Sequence, residues 1–204
     1  GVTDGFDTSA VAATEVPISD VPAGTRLEVT DTRKIYRRKA GGNPTGTAYG
    51  VSTAAFKQYL DYTSFDDRPH AVQLKPDGTK MFVMDYEGRE IRQFTLSTAY
   101  DVTTATSDGT LDVSNEDISP TGLFIDSSGS HLFITGRNQN KIDQYSLGTS
   151  WTVTTNASYV RTANAGWSNL WDLTFKPDGT KMYVLDNGEI EEYTLGSAWN
   201  ISSL

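Results

Sequence analysis

The chain contains no cysteine, which excludes disulfides, thiol nucleophiles and thiolate metal sites together. Histidine is nearly as scarce: His70 and His131 are the only two. No Gly-x-Ser-x-Gly elbow, Walker loop or His-Glu-x-x-His pair occurs, so no catalytic residue, metal or cofactor is expected. No apolar run approaches the roughly 18 residues that a membrane helix requires. The balance is 17 Lys and Arg against 26 Asp and Glu, a net charge of −9, which argues against a broad basic footprint for nucleic acid. Neither membrane insertion nor nucleic-acid binding is expected.

What is present is aromatic and repetitive. The 204 residues include 4 Trp, 10 Tyr and 8 Phe within a hydrophobic content of 37%, enough large side chains for a β-rich core. Lys75-Pro-Asp-Gly-Thr-Lys-Met-Phe-Val83 returns as Lys176-Pro-Asp-Gly-Thr-Lys-Met-Tyr-Val184, with a diverged copy between them, Asp126-Ser-Ser-Gly-Ser-His-Leu-Phe-Ile134. The turn glycines Gly78, Gly129 and Gly179 lie 51 and 50 residues apart. Gln93-Phe-Thr-Leu96 recurs as Gln144-Tyr-Ser-Leu147 and Glu192-Tyr-Thr-Leu195. Ala99-Tyr-Asp-Val102 recurs as Ser150-Trp-Thr-Val153 and Ala198-Trp-Asn-Ile201, and earlier as Ala48-Tyr-Gly-Val51. Landmarks held in register describe a tandem repeat of about fifty residues.

Each unit reads as four short strands. Alternation marks the first at Val72/Leu74, Leu123/Ile125 and Leu173/Phe175. Lys-Pro-Asp-Gly then supplies a tight turn. The second strand is Lys80–Asp85, Leu132–Gly136 and Lys181–Asp186, and the third carries Ile91/Phe94/Leu96 and its equivalents. A polar fourth strand fits Thr110–Ser114 and Ser158–Thr162. The fold class is therefore all-β, with β-propeller-like repeats at 70–114, 121–162 and 171–204 forming one domain over 47–204. The third unit runs out where its fourth strand should begin, while Lys57–Thr63 follows the earliest aromatic landmark as a fourth strand does elsewhere. That N-terminal strand is expected to complete the last blade, within a longer protein or between two chains sharing a six-bladed ring. The intermolecular arrangement is the reading adopted.

Residues 1–46 read as a separate part: an extended arm over 1–24, a hairpin from Arg26–Val29 and Lys34–Arg37, and a Gly-rich linker. Six acids and six bases balance over residues 1–50, so the whole excess of acid falls on residues 51–204. Arg33, Lys34, Arg37 and Arg38 cluster around Ile35 and Tyr36 as an edge that docks on an acidic partner surface. With Lys57, Tyr59 and Tyr62 they form the expected assembly interface. His70 stands where the other repeats have Thr121 and Trp171, near the mouth of a propeller channel, and Trp167 and Trp171 are indoles suited to stacking on sugar. His70, Trp167 and Trp171 are the candidate ligand-binding residues.

The stretch Gly24-Thr-Arg-Leu-Glu-Val-Thr-Asp-Thr-Arg-Lys-Ile-Tyr-Arg37 resembles a segment of virion structural proteins of tailed bacteriophages, especially from aquatic hosts. The Lys-Pro-Asp-Gly-Thr-Lys-Met-Tyr/Phe-Val block looks like a propeller repeat that recurs in such proteins. The resemblance implies a non-enzymatic virion component, a tail or capsid decoration exposed on the virion or extracellular surface. It would bind other copies of itself, neighbouring virion or surface proteins, or a host surface glycan. Two other readings stay open: a carbohydrate-binding or carbohydrate-active propeller, and a self-assembling bacterial surface or filament protein.

Overall fold

The computed structural model describes residues 2–3, 6–7, 26–29, 34–37, 56–65 and 68–204. The chain divides into two compact units, Gly1–Phe56 and Lys57–Leu204. In the first, β1 (Val2–Thr3) pairs antiparallel with β2 (Phe6–Asp7), and β3 (Arg26–Val29) pairs with β4 (Lys34–Arg37). Lys34 and Arg37 stand at the two ends of β4. Arg33 and Arg38, expected in the assembly interface, lie outside the described residues.

The second unit is all-β and built from three antiparallel sheets. Sheet I runs β5 (Pro69–Leu74), β6 (Lys80–Asp85), β7 (Glu90–Leu96), β8 (Ala105–Asp112) in spatial order. Sheet II repeats the order with β9 (Pro120–Ile125), β10 (His131–Gly136), β11 (Lys141–Leu147) and β12 (Ala157–Ala163). Sheet III has three strands, β13 (Leu170–Phe175), β14 (Lys181–Asp186) and β15 (Glu189–Thr194). The first strands β5, β9 and β13 are neighbours, so the sheets are arrayed side by side in a propeller-like manner.

Turn chemistry explains the recurring Lys-Pro-Asp-Gly-Thr. The Gly78 N–H donates to the Lys75 carbonyl (2.8 Å), and the Asp77 carboxylate accepts from both the backbone N–H (3.0 Å) and hydroxyl (2.6 Å) of Thr79. Asp178 does the same for Thr180 at 3.0 and 2.6 Å. In the diverged copy Asp126 takes this role, accepting from the Ser128 hydroxyl and the N–H groups of Ser130 and His131. Each turn glycine meets the aromatic landmark of its own repeat: the N–H of Tyr100, Trp151 and Trp199 donates to the carbonyl of Gly78, Gly129 and Gly179.

Strand alternation decides which sheet each side chain meets. In β6, Phe82 and Met84 face sheet II, where they join Leu123, Ile125, Leu132, Ile134 and Trp151 in one core. In β10, Leu132 and Ile134 turn back to sheet I, while Phe133 turns forward to join Leu173, Phe175, Met182 and Val184 of sheet III. Polar staples cross the same seams. Gln73 donates to the Ile125 carbonyl (2.8 Å) and accepts from its N–H (2.7 Å), and Gln93 accepts from the Val153 N–H (2.9 Å). Gln144 donates to the Trp199 carbonyl at 2.8 Å.

Within its own chain the expected outer strand Lys57–Thr63 pairs with no strand among the described residues. Residues 57–62 form no ladder; they lie across the far face of sheet I. There Leu60 and Tyr62 pack against Met81, Val83, Phe94 and Leu96, and the Tyr62 hydroxyl donates to Asp85. The physical reason is that this face offers the segment apolar cover, whereas the described residues place no strand edge beside it. The fourth strand of sheet I also begins earlier than the sequence suggests, at Ala105 rather than Thr110.

Candidate functional site

A hollow of about 430 Å³ opens between the first strands of the three sheets, lined by Pro69–Val72 of β5, Thr121 and Leu123 of β9, and Trp171 and Asp172 of β13. The second residue of each inner strand (His70, Thr121 and Trp171) contributes to it. One repeat position thus carries three different chemistries, an imidazole, a hydroxyl and an indole.

Each of the three is held by neighbours. The imidazole of His70 stacks on Tyr86, with centroids 4.5 Å apart and planes 24° from parallel. Trp171 is exposed, and the Arg137 guanidinium sits over its ring at 4.2 Å, itself oriented by a 2.9 Å hydrogen bond from Nε to the Asn169 side-chain oxygen. Thr121 is buried, its hydroxyl 3.2 Å from that of Thr135. Thr135 accepts from the Gly122 N–H (2.8 Å) and donates to the Trp171 carbonyl (3.1 Å). Two threonines therefore lock β9 to β13 and fix the backbone that presents the indole.

Asp172 supplies the acid of the site. Crowding by neighbouring protein raises its carboxyl above the ordinary carboxylate range, against the opposing hydrogen bond from the Leu173 N–H (2.9 Å). Gly122 makes room for it: a β-carbon there would lie 2.6 Å from Asp172 Oδ1. Among the described residues no group of three or more His, Asp or Glu side chains is gathered as a metal site requires.

The structure brings His70 and Trp171 to one hollow but not Trp167. That indole is buried, donating to Glu191 and to the Tyr193 hydroxyl at 3.1 Å each. His131 stacks beside Trp199 at the seam between sheets II and III, away from the hollow. The expected interface residues divide as well: Lys57 and Tyr59 are exposed, while Tyr62 is half-buried between Phe65 and Phe94.

Carboxylates that invite a catalytic reading turn out to shape loops. Asp186 accepts from the N–H groups of Ser168 (3.1 Å) and Asn169 (2.7 Å), tying the loop ahead of β13 to the end of β14. In sheet II the equivalent residue is Gly136. Asp117 reaches into the vacated space and accepts from the Ser119 N–H at 2.6 Å, so that a β-carbon at Gly136 would lie 1.4 Å from its Oδ2. Asp172, Arg137 and Tyr86 were missed by sequence reasoning. Only Asp172, one residue beyond the varied repeat position, carried a signal that could have found it.

No family model matches the chain, and no curated protein matches it in sequence. Solved structures are similar to it in fold. A functionally unknown protein of Desulfotomaculum acetoxidans is 16% identical, with a TM-score of 0.49 over 67% of this chain and 44% of its own. The periplasmic gluconolactonase of Pseudomonas aeruginosa is 13% identical, with a TM-score of 0.48 over 62% of this chain and 35% of its own. A β-propeller domain from Myceliophteria thermophila is 15% identical, with a TM-score of 0.46 over 61% and 39%. The chain spans between 35% and 44% of the length of these three structures.

These comparisons correct the reading of the repeats as a non-enzymatic virion component. A structure with a similar fold is named as an enzyme, and none of the three is named as a virion protein. Propeller-like repeats host many unrelated functions, so the repeats by themselves imply neither a tail or capsid decoration nor the absence of catalysis.

Proposed function

We propose that the three sheets are propeller blades and that the hollow between their inner strands is a carbohydrate site. The observation that supports this most directly is the convergence of His70, Thr121 and Trp171 on one cavity from one repeat position. Sugars present an apolar C–H face and a rim of hydroxyls, so their sites combine an aromatic platform with polar groups at fixed angles. Trp171 is the platform, stiffened by Arg137 and by the threonine pair behind it. His70, held flat against Tyr86, offers a ring nitrogen to a hydroxyl. Asp172, with its raised proton affinity, and His70 are the groups able to pass a proton to or from a bound sugar.

The test is calorimetric titration of the full chain with neutral sugars, sugar acids and aldonolactones, the last followed for ring opening. The expected result is binding by at least one class, weakened about tenfold or more by Trp171→Ala, in the range of a lost aromatic contact. If no member of the panel binds, or if Trp171→Ala binds as well as the parent, the site assignment fails.

A further inference from the structure

The two outer faces of the array, the back of sheet I and the front of sheet III, are complementary in the same way as the two buried seams between the sheets. Leu123 and Ile125 of β9, and Leu173 and Phe175 of β13, are no more than 7% exposed because each pair faces the preceding sheet. Val72 and Leu74 hold the same places in β5 and are 65% and 37% exposed. Forward faces show the mirror pattern. Met84 and Ile91 of sheet I, and Thr135 and Ile142 of sheet II, are wholly buried against the following sheet, yet their counterparts Leu185 and Ile190 are 41% and 79% exposed. Among the described residues, one face has no sheet behind it and the other has none in front.

From this complementarity we infer that sheet III of one copy docks on the back of sheet I of a second copy, and that residues 57–63 of that second copy serve as the fourth strand beside β15. Two such contacts join two chains of three sheets into one ring of six, within the usual four to eight.

The outer edge of β15 has no strand partner among the described residues, whereas β7 and β11 are covered there by β8 and β12. The segment that would cover it is already in position. Leu111 lies opposite Ile91 in sheet I, and Leu111 and Val113 reach over to pack on sheet II. Leu60 and Tyr62, with the same spacing, pack on the back of sheet I as though they trailed from a sheet placed before it. Joining therefore requires no rearrangement of the segment, only the arrival of β15 alongside, with Ile190 opposite Leu60. An apolar hollow of about 290 Å³ between Leu60, Tyr62, Val72 and Val83 is the slot for Leu185, matching the place of Met84 against Leu123 and Ile134.

Polar groups continue the pattern. Lys80 Nζ crosses the first seam to the Trp151 carbonyl and the Thr152 hydroxyl, each at 3.1 Å. Its counterpart Lys181 pairs with Glu192 of its own sheet, and the residues matching Trp151 and Thr152 on the back of sheet I are Tyr100 and Asp101. The second copy thus offers a carboxylate to the lysine.

Light scattering of the full chain should give twice the single-chain mass. Ile190→Asp should weaken the pair at least about tenfold in dissociation constant while leaving circular dichroism unchanged, because Ile190 is exposed in the single chain. Because the chain contains no cysteine, a Leu60→Cys variant mixed with an Ile190→Cys variant should form a disulfide-linked pair under mild oxidation, and neither should alone. A single-chain mass at high concentration, a mass beyond two copies, or a two-copy mass without the mixed disulfide would each overturn the inference.

Discussion

Gly129 lies directly beneath the indole of Trp151, so close that a β-carbon on the glycine would sit 2.3 Å from the ring. The same pair recurs as Gly78 under Tyr100 (2.4 Å) and Gly179 under Trp199 (2.3 Å). All three aromatic residues take a left-handed backbone, with φ of 61°, 54° and 60°, held by the N–H bond to the glycine carbonyl. Two sequence landmarks some twenty residues apart are thus halves of one device: the turn supplies a flat seat, and the aromatic residue closes the repeat over it.

Gly129→Ala should destabilise the chain by at least about 2 kcal/mol, since a positive φ of 72° and a collision with the buried Trp151 act together. Urea unfolding followed by tryptophan fluorescence measures it. A midpoint equal to that of the parent would show that the indole can leave its seat at no cost.

Gln73 replaces a missing backbone pairing between sheets I and II by bonding both the N–H and the carbonyl of Ile125. Gln73→Ala leaves both groups without their partner and should cost about 1–3 kcal/mol. Gln73→Glu keeps the acceptor and loses the donor, so it should fall between the alanine variant and the parent in the same unfolding experiment.

Thr135→Val keeps shape and removes the hydroxyl that accepts from Gly122 and donates to Trp171. A stability loss of about 1–3 kcal/mol is expected, together with weaker sugar binding, because the strand presenting Trp171 is no longer pinned. Arg137→Ala should reduce binding with almost no stability loss, a contrast that thermal melting and calorimetry together resolve.

Burial raises the carboxyls of Asp117 and Asp143, the latter despite Lys141 at 3.4 Å. A carboxyl whose folded value lies above its unfolded one stabilises the fold most at low pH, and that contribution is lost as pH climbs past 3.8 and through the raised value. Asp143→Asn should flatten this part of the curve of stability against pH. An unchanged slope in urea melts between pH 4 and 7 would refute the assignment.

Much of this architecture is legible in the sequence, and particular residues show why. Lys80–Asp85 and Lys181–Asp186 are strands as read, because turn chemistry fixes where they start and alternation fixes their faces. Trp167 was not legible: its burial depends on Glu191 and Tyr193, which reach it from a strand some 24 residues away. Asp117 is hidden for a related reason, since it fills a place that register assigns to Gly136. Lys57–Thr63 has the composition of a strand, but a ladder also needs an edge to pair with, which composition does not carry. Function was the least legible, because the repeat encodes seams between sheets, while the hollow depends on one varied position per repeat and on Arg137 and Tyr86 reaching it from elsewhere.

Among the described residues each sheet is stapled to the next in line, so cooperativity has to travel by adjacency. Among the described residues of one chain, sheet II alone has a sheet against each face, Phe82 and Met84 meeting it from one side and Met182 and Val184 from the other. In a chain separated from its partner, opening should then begin at the rims and spread inward, with amide hydrogens of β10 and β11 exchanging last and those of β15 first. The middle sheet acts as a keystone: a substitution there loosens both halves, whereas the same substitution at a rim loosens one.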